Sequence, residues 1–271
     1  MKSRFFPLVL LFLAFITVGC IFTPLGEVPD WYPSTWTIAD SQIDEFDSVY
    51  TSFSENFNLN ELVFNYTDSL CSHIDYLCSR DIVQMFSPET SNDPVEDFDR
   101  NLKSFLDEWW RLVSIEEFKI KEINSSLHEN TGRINSRIIP KSTYKYPLNS
   151  PDFELGRLQI TTDENGYMET IWSNLVPQLP VPDNPNINLI EVKDIVNGYE
   201  YRINKWLSMD DVILSKSDIE SSELQVLLLR DNDETYIKYL LIWSLRVQDG
   251  NIYVDAMTGE ILGYQQTTIY G

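Results

Sequence analysis

The sequence predicts an α+β fold in which two helix-on-antiparallel-sheet modules follow a helical segment. Three observations carry this. Apolar residues fill 43% of the 271 positions, enough for packed cores. Twice, apolar residues spaced three and four apart give way to runs that alternate apolar and polar side chains. Those runs are divided by turn sequences, Asp163-Glu164-Asn165-Gly166 and Asp249-Gly250, that favour an antiparallel return of the chain.

The chain opens with Lys2 and Arg4, then an apolar run over 5–18 interrupted by Pro7 and Thr17. The run is short for a membrane span of about 20 residues, and residues 1–19 have the layout of a signal peptide. It ends in Thr17-Val18-Gly19-Cys20, with small residues ahead of a cysteine. This resembles the lipobox of prokaryotic lipoproteins. The resemblance implies cleavage before Cys20 and a lipid on its thiol, anchoring the chain to the cell membrane on the extracytoplasmic face. An ordinary secretory signal or an uncleaved anchor fits the same run, and both also place the rest of the chain outside the cytoplasm. Residues 20–40, with Pro24, Gly26, Pro29 and Pro33, are expected to form a tether.

Residues 41–97 are expected to be mainly helical. Over 59–86, Leu59, Leu62, Val63, Tyr66, Leu70, Ile74 and Leu77 recur at helical spacing. With Cys20 lipidated, Cys71 and Cys78 remain as an even pair in an oxidising compartment. On one straight helix their Cα atoms would stand about 10.5 Å apart, against a limit of about 7 Å for a disulfide. Either the helix breaks near 72–75 and Cys71 and Cys78 form a disulfide, or both thiols are buried on one face. Cys71, His73 and Cys78 lack a fourth ligand nearby, so no metal is expected there.

Ser87 to Asp97 is polar and carries Pro88 and Pro94, which marks a boundary. The first module, 98–182, starts with a helix over about 95–112, capped by Asp93 or Asp97. Its apolar stripe is Phe98, Leu102, Phe105, Leu106, Trp109 and Leu112. Trp110 flanks this stripe. Strands are expected from 118 to 123, over 133–139 and 143–146, and on both sides of the 163–166 turn, where Gly166 suits a positive φ. Four prolines within 176–185 predict an extended linker. The second module, 183–271, repeats the plan. A helix over 187–197 precedes strands at 212–214, 224–229, 234–248, 251–255 and 260–265.

Composition excludes several function classes. With 42 acidic and 20 basic side chains and a net charge of -22, the chain has no electrostatic drive toward nucleic acid. Loss of Lys2 and Arg4 with a signal peptide would make the exported part more acidic still, favouring basic partners. The only two histidines, His73 and His128, cannot supply a His-Glu-x-x-His zinc site, and neither sits in a nucleophile–base signature. The neighbouring carboxylates Asp107-Glu108, Glu116-Glu117 and Asp210-Asp211 diverge on a helix or a strand instead of converging on a scissile bond. Asp163-Glu164-Asn165-Gly166 and Asp231-Asn232-Asp233-Glu234 read as turns, because neither belongs to a twelve-residue calcium loop. No enzyme activity, cofactor or metal is expected.

The run Tyr253-Val254-Asp255-Ala256-Met257-Thr258-Gly259-Glu260-Ile261-Leu262 resembles the signature of the PepSY family, which also places a long strand before it. Here the Asp255 carboxylate can accept N–H groups of the turn, and Gly259 can supply a backbone conformation that a Cβ resists. Upstream, the strand from Gly156, the 163–166 turn and Asn174-Leu175-Val176-Pro177 resemble the propeptide of thermolysin-type metalloproteases, where a first module hands over to a PepSY module. At the start of that first module, Lys145-Tyr146-Pro147-Leu148 stands where those propeptides have a glycine-rich strand opening. The resemblance covers about 98–271. It implies two cystatin-like modules and a non-catalytic chain that binds or restrains an envelope or secreted peptidase. With Gly271 closing the module, that action is expected in trans. A structural or assembly lipoprotein that holds an envelope partner without inhibiting a peptidase is the alternative.

Overall fold

A computed structural model describes residues 27–57, 63–66, 74–77, 83–114, 116–149, 156–205, 208–230 and 236–267. In chain order the strands are β1 (Ser34–Trp36), β2 (Val63–Tyr66), β3 (Ile74–Leu77), β4 (Ile120–His128), β5 (Arg133–Pro140), β6 (Leu148–Asn149), β7 (Leu158–Thr162), β8 (Met168–Ser173), β9 (Glu200–Lys205), β10 (Ser208–Ile213), β11 (Ser221–Arg230), β12 (Ile237–Val247), β13 (Gly250–Asp255) and β14 (Ile261–Gln266). The helices are α1 (Asp40–Asn56), α2 (Pro94–Trp109) and α3 (Leu189–Ile195). The α+β class read from the sequence is the class the chain adopts.

Helix α2 shows how local sequence sets the first core. The Asp93 carboxylate accepts the N–H groups of Val95 at 3.1 Å and Glu96 at 3.0 Å, and Pro94 takes the first helical position, where no hydrogen bond is lost. Phe98, Leu102, Phe105 and Leu106 are buried along one stripe, which a short 3-10 turn extends to Leu112. The stripe packs on an antiparallel sheet of order β2-β3-β8-β7-β5-β4, against Ile134, Ile138, Leu158, Ile160 and Met168. Burying each such side chain contributes about 1.5–3 kcal/mol. Phe53 of α1 joins the same core, its ring 4.9 Å from that of Trp109 and nearly perpendicular to it. The N-terminal helix therefore shares a core with the 98–182 module.

Three local expectations change. Helical spacing across 59–86 predicts a helix, yet β2 and β3 are strands there. The free edge of β8 offers unpaired N–H and C=O groups, and β3 takes them in register from Ile74↔Ser173 to Leu77↔Thr170. The strand expected at 143–146 is irregular, and extended pairing is confined to β6. Strand β9, whose Tyr201 and Ile203 alternate with polar neighbours, was not anticipated; it pairs with β10 as a two-stranded ribbon.

The second sheet runs β14-β13-β12-β11-β6 and is antiparallel except for β6 beside β11. Helix α3 opens with a reciprocal cap. Asn188 Oδ1 accepts from Ile190 N at 2.9 Å and Glu191 N at 3.1 Å, while the Glu191 carboxylate accepts from Asn188 N at 2.9 Å. Ile187, Val192 and Val196 pack on Leu245, Val247, Ile252 and Val254. Elsewhere on the sheet, the proline-rich 176–185 stretch is packed down. Val176 and Leu179 lie against Trp36, Leu228, Ile237 and Tyr239, and the Tyr239 hydroxyl donates to the Pro177 carbonyl at 2.6 Å.

Strand β12 pairs with β11 along one edge from Ile237 to Arg246. Its other edge is shared end to end, with β13 on Ile242–Val247 and β1 on Ile237–Tyr239. Part of the stretch expected as a tether is thus a strand of the C-terminal sheet. Among the described residues, no helix is long and apolar enough to cross a membrane.

Candidate functional site

Asp255 ends β13, and the turn that follows is built around it. Its N–H donates to the Glu260 carbonyl and its carbonyl accepts from Gly259 N–H, both at 2.9 Å. Its Oδ1 accepts the N–H of Met257 at 2.7 Å and of Thr258 at 3.0 Å. Those two amides would otherwise lack an acceptor in a tight turn whose first three residues are buried. Gly259 sits at φ +79°, where a Cβ is disfavoured.

The turn grips α3 at both ends. The Ala256 carbonyl accepts from Asn186 and Ile187 N–H, each at 3.0 Å, immediately before the Asn188 cap. The Ile187 carbonyl in turn accepts from the Trp243 indole N–H at 2.8 Å. A Cβ built on Gly259 would stand 2.7 Å from the Ile187 Cδ1 and 3.0 Å from the Ile195 Cδ1. The absent side chain is the space into which both isoleucines close.

Asp255 is only 3% exposed. Burial raises its pKa above the ordinary carboxylate value, although the Met257 and Thr258 amides and the Tyr32 hydroxyl favour the ionised form. Tyr32 is itself pushed far up, first by burial and then by the negative charge of Asp255. The carboxylate faces backbone donors and a phenol, with its Oδ1 filled, so this geometry suits holding a turn.

Other sequence-singled residues are scattered. Cys20, Cys71, Cys78 and His73 lie outside the described residues, as do residues 1–19 and 231–234. His128 is exposed at the end of β4, its Nδ1 3.1 Å from Thr131 Oγ1. Asp107, Glu108, Glu116 and Glu117 are exposed, and the Asp211 carboxylate accepts from Arg202 Nε at 2.8 Å. The Asp163 carboxylate is used by its own turn, accepting from Asn165 and Tyr167 N–H at 2.9 Å. Among the described residues, no three His, Cys, Asp or Glu side chains are grouped to hold a metal.

Sequence reasoning found Asp255 and Gly259 but missed Tyr32 and Ile187. Tyr32 gave no signal, because it lies in a proline-bearing stretch far from the turn. No protein-family model matches the chain, and no curated protein matches it in sequence.

Proposed function

We propose that this chain is a non-catalytic binding protein of the cell envelope, held to the membrane through a lipid on Cys20, whose two cystatin-like modules act in trans on a peptidase as an inhibitor or modulator. The observation that carries the reading is the Asp255 turn. The residues that resemble the PepSY signature are the ones that clasp α3: Asp255 through Met257 and Thr258, Ala256 through Asn186 and Ile187, and Gly259 through the space it leaves. A helix packed on an antiparallel sheet in each half supports the tandem reading.

The test is a titration of purified residues 21–271 against thermolysin-like and co-secreted peptidases, with binding and residual activity both followed. Saturable binding with loss of peptidase activity is the expected result. Absence of both at micromolar concentration overturns the inhibitor reading. Binding of envelope assembly components without any peptidase, seen by crosslinking in cells, replaces it with the assembly alternative.

A further inference from the structure

Strand β4 ends the first sheet, pairing with β5 on one side and, among the described residues, with no strand on the other. Such an edge invites a further strand, and charges, bulges or prolines are its usual guards. Here a register shift between Ile120 and Glu122, with Lys121 and Glu122 beside it, guards only the start of the strand. Beyond it, Ile123, Asn124, Ser125, Ser126 and Leu127 carry no charge and include no proline. Within this unguarded stretch, Asn124-Ser125-Ser126 fits the Asn-x-Ser acceptor sequence for N-linked carbohydrate.

The fold turns this triplet outward. Ser125 faces α2, its hydroxyl donating to Asp99 Oδ1 at 2.5 Å and lying 2.9 Å from the Ser136 hydroxyl. Alternation along the strand sends Glu122, Asn124 and Ser126 to the other face, and all three are exposed. Their neighbours across β5, Asn135 and Arg137, are exposed and polar, so a hydrated sugar meets no apolar wall there. The Asn124 side-chain amide makes no hydrogen bond among the described residues. The Ser126 hydroxyl has one long contact, 3.5 Å to the Asn135 carbonyl. Both groups that define the acceptor sequence are thus open to a transferase. Asn65-Tyr66-Thr67 fits the same sequence, but its Thr67 lies outside the described residues.

We propose that Asn124 is an N-glycosylation site whose carbohydrate shields the open edge of β4. The sugar comes from a lipid-linked oligosaccharide, a polyprenyl phosphate ester. Asn124 Nδ2 bonds to C1 of the first sugar, and the C1–O bond to phosphate breaks with its electron pair leaving on the lipid phosphate. One amide proton passes to a base. The site rests on export of the chain, which the envelope reading also needs, and on no peptidase.

The test is mass spectrometry on the full chain isolated from the cells that make it, with protease treatment of intact cells to establish export. Trypsin cuts after Lys121 and Arg133, which puts Asn124 on peptide 122–133. That peptide should be heavier by a whole oligosaccharide, and fragmentation should place the sugar on Asn124. Asn124→Gln and Ser126→Ala should each abolish the addition, and Ser126→Thr should keep it. Circular dichroism checks that each variant is folded. An exported chain whose peptide is unmodified, or modified only at Asn65, overturns this site and leaves the envelope reading standing. A sugar that survives Asn124→Gln is held by a serine hydroxyl and also overturns it. A chain that stays in the cytoplasm overturns both readings. In sedimentation, Asn124→Gln should self-associate at concentrations where the native chain is monomeric, and equal behaviour of the two overturns the shielding.

Discussion

The Tyr32 hydroxyl accepts the Leu241 N–H at 3.1 Å and donates to the Leu241 carbonyl at 3.3 Å. Leu241 lies on the edge of β12 between the residues paired with β1 and those paired with β13. The phenol, with the Ala256 N–H that donates to the same carbonyl at 2.8 Å, thus fills the break between two strands laid end to end, beside the Asp255 carboxylate. Removing it in Tyr32→Phe leaves a buried amide without its acceptor and should lower stability by about 1–3 kcal/mol. Urea unfolding measures the loss, and faster hydrogen exchange at the Leu241 amide localises it.

Asp255→Ala removes the acceptor for the Met257 and Thr258 amides and should destabilise by about 1–3 kcal/mol. Asp255→Asn keeps an acceptor oxygen and should cost less. The pH dependence separates the two effects. Because the folded pKa is raised, the folded state holds its proton longer than the unfolded chain. The group's contribution is constant below its ordinary value of 3.8, then declines as pH rises through the folded pKa. Wild-type stability relative to Asp255→Asn should fall across that interval. A difference that rises with pH would contradict the burial described here.

Gly259→Ala adds a Cβ at φ +79° and against the tips of Ile187 and Ile195. The isoleucine methyls can shift, so backbone strain dominates, and a loss of about 1–2 kcal/mol is expected. Near-ultraviolet circular dichroism of Trp243, whose indole bonds the Ile187 carbonyl, should change with it.

Asp93→Ala should cost about 1 kcal/mol, since two amides of the first turn of α2 lose their cap. Asp93→Gly should cost a few tenths of that change, and thermal melts of the pair distinguish capping from a general surface effect.

Burial pushes the Tyr264 phenol up to about 12, with the charge of Asp249 adding to it. A raised phenol favours the folded state less as pH climbs from its ordinary 10.0 toward that value. Its hydroxyl is buried with no hydrogen-bond partner among the described residues. Tyr264→Phe should therefore be within about 0.5 kcal/mol of wild type at neutral pH and lose stability less steeply above pH 10.

Elements with a strong local code were legible in the sequence. The α2 stripe, its Asp93 cap and the 163–166 turn all follow from spacing and side-chain chemistry. Gly166 adopts φ +81°, and any Cβ there would fall 2.0 Å from the Phe86 carbonyl oxygen. Elements decided by distant pairing were not legible. Val63, Tyr66, Ile74 and Leu77 satisfy a helical period, but β8 had an edge to fill. Strands β1 and β6 have three and two residues, too few for any period, and exist because β12 and β11 receive them. The candidate site divides the same way. Asp255 and Gly259 lie within one turn, whereas Tyr32, Ile187 and Ile195 meet them only in space.

The placement of β1 also bears on the order of assembly. Residues 34–36 leave the ribosome long before their partners at 237–239. Nothing local can hold them meanwhile, and such wide separations in sequence slow folding. Strand β1 is therefore made long before it can be placed, and this edge of the C-terminal sheet closes only once β12 exists.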